Sequence, residues 1–519
     1  MSESTSELLA ALQNPSIYGH PAEHIEVLET HISWVLLCGE YAYKIKKPLD
    51  LGFLDFSTLE KRRFFCREEL RLNARLAPDI YLDVVAITGS VQNPGIDGPG
   101  PVIDYAVKMH RFGQQNLFVN LLRTGTLTTA LMDQLALLVA RFHEQAARAA
   151  LDSPFGTPET ILQPVMENFQ QIRESLDAQS ILLLERLQSW CTTQHGNLSP
   201  VFLQRKKSGF IRECHGDLHL GNIVCYQGRA TPFDGIEFNA RLRWIDIISD
   251  IAFLIMDLVD HQRSDLAFRF LNAYLEHTGD YSGLAVLRFY QVYRALVRAK
   301  VACIRLQQDP GYFPARQELD DYLSLANACS NPPGPRLILC HGLSGSGKTT
   351  LSQRLLEAIP AIRIRSDVER KRLHRLRPEQ HSKSGLGSHL YTERATIETY
   401  NRLLQLAGIT LDAGYAVIVD ATFLRRKQRS PFRELARAKR IPLLIVHCQA
   451  TTDTLQQRIV QREKAGGDAS EASLTVLQQQ LQTREKLTAA ELQDCLSIDT
   501  ENPAAIDRLL RTLSSGIAE

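Results

Sequence analysis

Apolar residues in the first part of the chain fall in short alternating runs, and Ile25 to Glu29, Trp34 to Leu37, Tyr41 to Ile45, Val84 to Ile87 and Val102 to Met109 predict strands. One helical stretch, about Leu59 to Leu76, interrupts them. After Arg111 the period becomes helical, with Leu131 to Ala149, Ile161 to Cys191, Ile247 to Val259 and Leu284 to Leu306 as the longest candidates. A small sheet lobe followed by a larger helical lobe is implied. Beyond residue 335 the two periods alternate: strand 336–341, helix from 347, strand 361–364, helix 391–412, strand 415–420, helix 427–439 and strand 441–448. That alternation predicts a parallel sheet with helices on both faces.

The break between the two patterns is Asn331-Pro332-Pro333-Gly334-Pro335, which cannot continue the helical pattern ending near Ala328. Two domains are therefore expected, 1–330 (lobes about 22–110 and 111–330) and 336–519, joined by a linker at 331–335. A chain of 519 residues is also too long for one ordinary core. With 44% apolar and 23% charged residues it reads as globular, not disordered or fibrous. Its 59 basic and 58 acidic residues leave no global field to steer it to nucleic acid or anionic membranes.

Ten cysteines without a C-x-x-C pair fit reduced thiols, and the acidic N-terminus, MSESTSELLAALQNP, lacks the basic start of a signal peptide. The apolar run Ile245 to Val259 is interrupted by Asp246, Asp250 and Asp257, which predicts a buried helix and not a membrane span. A cytoplasmic location is expected.

Gly342-Leu343-Ser344-Gly345-Ser346-Gly347-Lys348-Thr349 is a complete G-x-x-x-x-G-K-[ST] match between an apolar strand and a helix. Glycines at 342, 345 and 347 let backbone N–H groups converge on phosphate oxygens at a helix N-terminus, with Leu343, Ser344, Ser346 and Thr350 completing the nucleotide-binding stretch. Lys348 would reach the β- and γ-phosphates of ATP, and Thr349 a Mg²⁺ ion. The alternative, a Gly/Ser-rich turn before a helix, does not account for Lys348 and Thr349 together.

Asp367 follows the second strand, where an acceptor-side general base could stand, with Arg370 three residues on along the same helical face. Spacing alone equally allows a helix N-cap beside a solvated Arg. Asp420 ends the strand at the carboxyl edge of the sheet, as a ligand of the metal's water shell or as a turn carboxylate. Arg458 and Arg462, at i and i+4, could close over the transferring phosphoryl group or form a solvated basic face.

Together with Asp468-Ala469-Ser470-Glu471-Ala472, these residues resemble the small P-loop kinases of the predicted-kinase, polynucleotide-kinase-like group over nearly all of 336–519. The resemblance implies Asp367 as acceptor base, Arg370 as acceptor-orienting, and Arg458 and Arg462 as lid arginines. It leaves the acceptor open, since relatives act on sugars, nucleic-acid ends and small antibiotics.

A second motif, Cys214-His215-Gly216-Asp217-Leu218-His219-Leu220-Gly221-Asn222, spaces Asp and Asn as in the kinase catalytic loop. Asp217 would accept a hydroxyl proton, Asn222 would bind Mg²⁺, and Asp234, after a short hairpin through Gln227-Gly228, would be a second metal ligand. An Asp/Asn-rich turn is the structural alternative. His215 and His219 fit a bracing role in the loop better than a zinc pair. Alternation puts Lys44 and Lys46 on one strand face, and Lys44 with Glu69, or with Glu68 next to it, is the expected Lys–Glu pair of the nucleotide site.

These residues resemble the aminoglycoside-phosphotransferase and choline-kinase-like division of the protein-kinase fold over about 22–328. The resemblance implies a bilobal α+β fold with Asp217 as catalytic base, Asn222 and Asp234 as Mg²⁺ ligands, and a structural role for Asp250. Two departures stand out: no G-x-G-x-x-G precedes Lys44, leaving the Glu29-Thr30-His31-Ile32-Ser33 turn to cover the phosphates, and the metal motif runs Asp234-Gly235-Ile236-Glu237-Phe238-Asn239.

With Lys44-Ile45-Lys46-Lys47-Pro48, Phe53-Leu54-Asp55-Phe56 and the P-loop, the full chain resembles bacterial fusions of an aminoglycoside phosphotransferase with an AAA-type ATP-binding protein. The expected activity is two-site phosphotransfer from Mg-ATP to hydroxylated small-molecule acceptors. One alternative is a P-loop kinase regulated by a nucleotide-sensing pseudokinase. Another is a nucleic-acid-end kinase, which the local basic run Arg363, Arg365, Arg370, Lys371, Arg372, Arg375 and Arg377 would serve.

Overall fold

A computed structural model describes residues 3–52, 54–308, 313–377, 380, 392–465 and 469–515; Phe53 and Asp468 of the motifs above lie outside these residues. The chain divides into two compact units, 1–161 with 202–254, and 162–201 with 255–519.

The first unit is built on a six-stranded antiparallel sheet in the order Ile25–Glu29, Ser33–Cys38, Tyr41–Lys46, Val102–His110, Tyr81–Gly89, Pro94–Ile96. The strands were legible from alternation except the last, a three-residue edge strand whose Pro and Gly masked it. The Leu59–Asn73 helix starts at Thr58, whose Oγ1 accepts from Lys61 N at 3.3 Å, and buries Cys66, Glu69 and Leu72. Arg62 ties it to the sheet through Asp104 at 2.8 Å. The hairpin of Ile223–Tyr226 and Arg229–Pro232 turns through Gln227 and Gly228, both with positive φ.

The single helix expected over Ile161 to Cys191 is two, Pro158–Arg173 and Ala178–Lys207. Asp177 makes the break, its Oδ1 accepting from Ser180 N at 2.9 Å as an N-cap, and the second helix then runs past Gly196 and Pro200. The helix predicted over Leu131 to Ala149 is Thr129–Gln145, capped by Thr128.

The second unit carries a five-stranded parallel sheet in the order Ala361–Arg365, Ala416–Asp420, Leu337–His341, Leu443–Gln449, Cys495–Asp499. Ile338, Cys340, Leu351, Leu355, Ile418, Val446 and Ile498 form one core layer against it. The outer strand, Cys495–Asp499, was not predicted, because a half-exposed edge has little apolar signal. The Ser264–Thr278 helix was missed as an element, and the helical pattern ending near Ala328 is the Phe313–Ser330 helix; both belong to this unit. No helix or strand is assigned between Ser330 and Leu337. Among the described residues, no helix is long and apolar enough to cross a membrane.

Candidate functional sites

In the first unit the Cys214–Asn222 loop leaves strand Ile211–Glu213 and is pinned from beneath. Asp250 accepts from His215 N at 3.1 Å and Gly216 N at 2.8 Å, and meets His143 Nε2 at 3.0 Å. Gly216 has φ +88, and a Cβ there would lie 2.7 Å from Leu242 O, so only glycine fits. His215 donates from Nε2 to Phe233 O at 2.9 Å, which leaves Nδ1 to accept from Asp217 N at 3.3 Å. Burial pushes the pKa of this imidazole down, with Asp250 opposing, and favours its neutral form. The loop's histidines therefore sit as braces: His219 Nδ1 accepts from Gly221 N at 3.1 Å, with its Nε2 3.4 Å from Asp217 Oδ2.

Asn222 donates to Asp217 Oδ2 at 2.9 Å and accepts at its backbone carbonyl from Phe233 N at 2.9 Å, which sets Asp234 beside it along the hairpin. Asp234 adopts φ +61, uncommon for a residue with a side chain, and its N–H donates to Tyr81 Oη at 3.1 Å. The Asp234 carboxylate accepts from Lys44, and Lys44 donates to Glu69 Oε1 at 2.8 Å. The structure thus brings Lys44, Glu69 and Asp234 together. Glu68 turns instead to Arg71 at 2.8 Å.

The chain of charges continues beyond what the sequence reading assigned. Lys46 donates to Glu69 Oε2 at 2.7 Å and also pairs with Glu237, so Asp234, Lys44, Glu69, Lys46 and Glu237 alternate in sign from a partly exposed Asp234 into a buried interior. Burial works against the Lys44 ammonium, yet Asp234 and Glu69 outweigh it and hold its pKa well above the usual lysine value. Burial likewise opposes the Glu69 carboxylate, and the two lysines bring it down to about 2. Burial leaves Glu237 above its ordinary value in spite of Lys46. The signals for this pair were the shared face of Lys44 and Lys46 and the carboxylate three residues after Asp234.

The Glu29–Ser33 turn closes without glycine, by Thr30 N donating to Ser33 O and Ser33 N to Thr30 Oγ1, both at 2.9 Å. Asn222 and Asp234 offer the hard oxygen donors that a Mg²⁺ ion takes, on a hairpin already fixed in place.

In the second unit the P-loop runs from strand Leu337–His341 into helix Lys348–Ala358. Gly342, Gly345 and Gly347 all have positive φ, and a Cβ on Gly345 would meet Leu455 O at 2.7 Å. The helix N-cap is Gly347, which supplies no capping side chain, so the N–H groups of the first turn are left to a ligand. Ser346 Oγ is buried without a hydrogen-bond partner. A cradle that glycines keep open, an uncapped helix start and a buried orphan hydroxyl fit a phosphate group.

Lys348 is buried and donates to Leu343 O at 2.7 Å; burial lowers its pKa, with Asp420 opposing. Leu343 itself packs with Leu424, Leu455, Ile459 and Leu477. Gln480, which the sequence did not single out, accepts from Ser344 N at 2.9 Å and donates to Ser344 Oγ at 3.0 Å.

Beside the loop lies a cavity of about 870 Å³, lined by Ser344, Gly345, Gly347, Lys348, Thr349 and Thr350 on one wall. Asp367, Arg370, Asp420, Arg458 and Arg462 are among the residues that line the rest, so residues from well-separated segments meet there. Gly342, Leu343 and Ser346 are not among the lining residues. The Ser366–Leu373 helix takes Arg365 as its N-cap, so Asp367 is not the cap; it faces the cavity, 3.3 Å from Arg370 Nη1. Burial raises the Asp367 pKa, and Arg370, Ser470, Arg365 and Arg462 together bring it below the ordinary value. Asp420 accepts from Ser352 Oγ at 3.2 Å.

Arg458 donates to Thr500 Oγ1 at 3.0 Å and Thr500 O at 3.1 Å, and Arg462 to Ala472 O at 2.5 Å, so neither is a loose surface charge. Thr349 and Asp420 supply oxygen donors for a divalent cation on this side. The basic run is largely neutralised inside the unit: Arg363 and Arg365 face Glu276, Lys371 faces Glu471 at 3.1 Å, and Arg372 faces Glu369 at 3.1 Å.

A family model described as an AAA domain matches residues 337–487. Uncharacterized proteins of Mycobacterium tuberculosis and Mycobacterium bovis are each 32% identical over 447 residues, which is 86% of this chain and 88% of theirs. Among solved structures, a sugar kinase from Janibacter sp. is 22% identical over 36% of this chain and 98% of its own, with a TM-score of 0.28. A choline/ethanolamine kinase family protein from Mesorhizobium loti is 13% identical over 64% of this chain and 96% of its own, with a TM-score of 0.40. An amicoumacin kinase in complex with AMP-PNP and Ca²⁺ is 13% identical over 63% and 94%, with a TM-score of 0.41.

Proposed function

We propose that this chain, which belongs to the same family as the two mycobacterial proteins and fuses a protein-kinase-like domain to a P-loop kinase-like domain, is a cytoplasmic phosphotransferase with two ATP sites. Each site would move the γ-phosphoryl group of ATP to a hydroxyl of a small acceptor. The observation that carries this is the P-loop cavity, which gathers Lys348, Thr349, Asp367, Arg370, Asp420, Arg458 and Arg462 from distant parts of the sequence. Its volume suits small molecules and is of the usual size for such sites.

In the P-loop site, backbone N–H groups of 345–349 and Lys348 hold the phosphates, and Arg458 and Arg462 oppose charge developing on the transferred group. Arg370 orients the acceptor, and an Asp367 carboxylate oxygen takes the acceptor's hydroxyl proton as that oxygen attacks. In the protein-kinase-like site, Lys44, oriented by Glu69, holds phosphate oxygens, and Asp217 takes the acceptor proton. Asn222 donates to Asp217 Oδ2, and His219 Nε2 lies beside the same oxygen. Bound Mg²⁺ would offset phosphate charge; Thr349 and Asp420 would hold it in one site, Asn222 and Asp234 in the other.

The glycine-free turn at Glu29–Ser33 favours one second reading, in which the first domain binds ATP without transferring phosphate and regulates the other. A transfer screen separates the two. Full-length protein with γ-labelled Mg-ATP is offered a panel of hydroxylated metabolites, alongside Asp217→Ala and Asp367→Ala. Label transferred to one acceptor and lost in Asp217→Ala supports a catalytic first domain. If neither variant alters transfer to any acceptor, the two-site proposal fails.

A further inference from the structure

Strand Ala361–Arg365 is an outer strand of the parallel sheet, hydrogen-bonded to Ala416–Asp420 on one side. An open sheet edge leaves backbone N–H and C=O groups to be satisfied. A side chain of the Ser264–Thr278 helix, 89 residues away in sequence, does this. Asn272, 1% exposed, donates from Nδ2 to Ala361 O at 2.9 Å and accepts at Oδ1 from Arg363 N at 2.6 Å, the two bonds a neighbouring strand would make.

One helical turn on, Glu276 accepts from Arg363 Nε at 3.0 Å and Nη2 at 2.7 Å, and lies 3.5 Å from Arg365 Nη1. At the end of the same helix the carbonyls of Glu276 and His277 accept from Arg372 at 2.6 and 3.4 Å. The segment between these anchors contains Ser366, Asp367 and Arg370, and Arg365 lines the cavity beside them.

We propose that Asn272 and Glu276 are positioning residues of the P-loop site, holding strand Ala361–Arg365 and the Arg365 side chain so that Asp367 stays open to the acceptor; this rests on Asp367 acting as the base there. The physical reason is a competition for arginines. Asp367 is already 3.3 Å from Arg370. Glu276 draws Arg363 and Arg365 from the other side, and removing its charge shifts the balance of attraction on the Arg365 guanidinium toward Asp367, which would hold the carboxylate more firmly as an ion pair and weaken it as a base. Sealing the edge alone would need only Asn272; the buried carboxylate next to it, with its desolvation cost, serves the two arginines.

The test uses full-length protein carrying Asp217→Ala, so that Mg-ATP turnover with water as acceptor reports the P-loop site alone. Glu276→Gln should lower kcat about tenfold or more, with KM for ATP changed by less than about twofold, because the loss falls on the acceptor side and not on nucleotide binding. Glu276→Asp should regain part of that loss. Asn272→Asp, which keeps the acceptor for Arg363 N–H and loses the donor, should lower kcat in the same selective way and serves if Glu276→Gln does not fold. An unchanged kcat in either variant, or a KM for ATP that rises as kcat falls, overturns the positioning role. Asp367→Ala in the same background is the control: if it leaves turnover intact, the base assignment itself fails; if it abolishes turnover while Glu276→Gln does not, only the positioning role is wrong.

Discussion

Asn222 donates its side-chain amide to the Asp217 carboxylate at 2.9 Å and to the carbonyl of the same residue at 3.1 Å, closing the loop on itself. Asn222→Ala removes both the brace and the side-chain oxygen proposed to hold Mg²⁺. With Lys348→Ala silencing the other site, kcat for transfer is expected to fall by about 100-fold or more, the range of a displaced general base. Steady-state kinetics with the acceptor from the screen checks this; a loss below tenfold would argue that Asp217 does not need its partner.

Lys46 and Glu237 are 1% and 3% exposed at their side chains and satisfy each other. Glu237→Gln leaves a buried ammonium with Glu69 alone and should destabilise the first unit by about 3–5 kcal/mol, with Lys46→Met/Glu237→Leu recovering much of it. Urea denaturation measures both. The Glu69 carboxylate, brought down to about 2 by the two lysines against burial, contributes stability that is present above its ordinary 4.5 and lost as pH falls toward 2. Glu69→Gln should therefore flatten acid destabilisation over that window while lowering stability at neutral pH.

Gly345 has φ +82 and no room for a Cβ beside Leu455 O. Gly345→Ala should weaken ATP binding by about tenfold or more through a strained and displaced loop, a penalty of about 1–3 kcal/mol. Titration with a fluorescent ATP analogue in Lys44→Ala protein isolates the P-loop site, and an unchanged Kd would contradict it.

His341, next to the P-loop, is buried against His447 with both ring nitrogens lacking partners, and burial, His447 and Arg429 push it down to about 3. The folded state thus resists protonation that the unfolded chain accepts from 6.5 downward. Its contribution to stability is complete above 6.5 and falls by up to about 1.4 kcal/mol per pH unit as pH drops toward 3. His341→Gln should lose less of its urea midpoint than wild type between pH 7.5 and 5; equal losses would contradict the assignment.

Much of this was legible in the sequence because the motifs are local. The P-loop lies within eight consecutive residues, and Asp217 and Asn222 five apart, so spacing alone proposed their neighbours. Alternation put Lys44 and Lys46 on one strand face, and the Lys–Glu pair expected of a kinase-like nucleotide site joined Lys44 to Glu69. What escaped notice depends on long-range contacts. Glu237 reaches Lys46 across 191 positions, Gln480 reaches Ser344 across 136, and Asn272 reaches Arg363 across 91. No spacing within one segment joins the two members of any of these pairs. Edge strands such as Pro94–Ile96 and Cys495–Asp499 escaped for the complementary reason, that a half-exposed strand needs few apolar residues.

The central claim, two phosphotransfer sites with separate bases, is tested most directly by ADP release at saturating Mg-ATP and acceptor, with Asp217→Ala, Asp367→Ala and the double variant. Each single variant should keep the turnover of the other site, and the double should lose both while still binding two nucleotides per chain. Turnover that survives in the double variant, or a single variant that removes it all, would contradict the account.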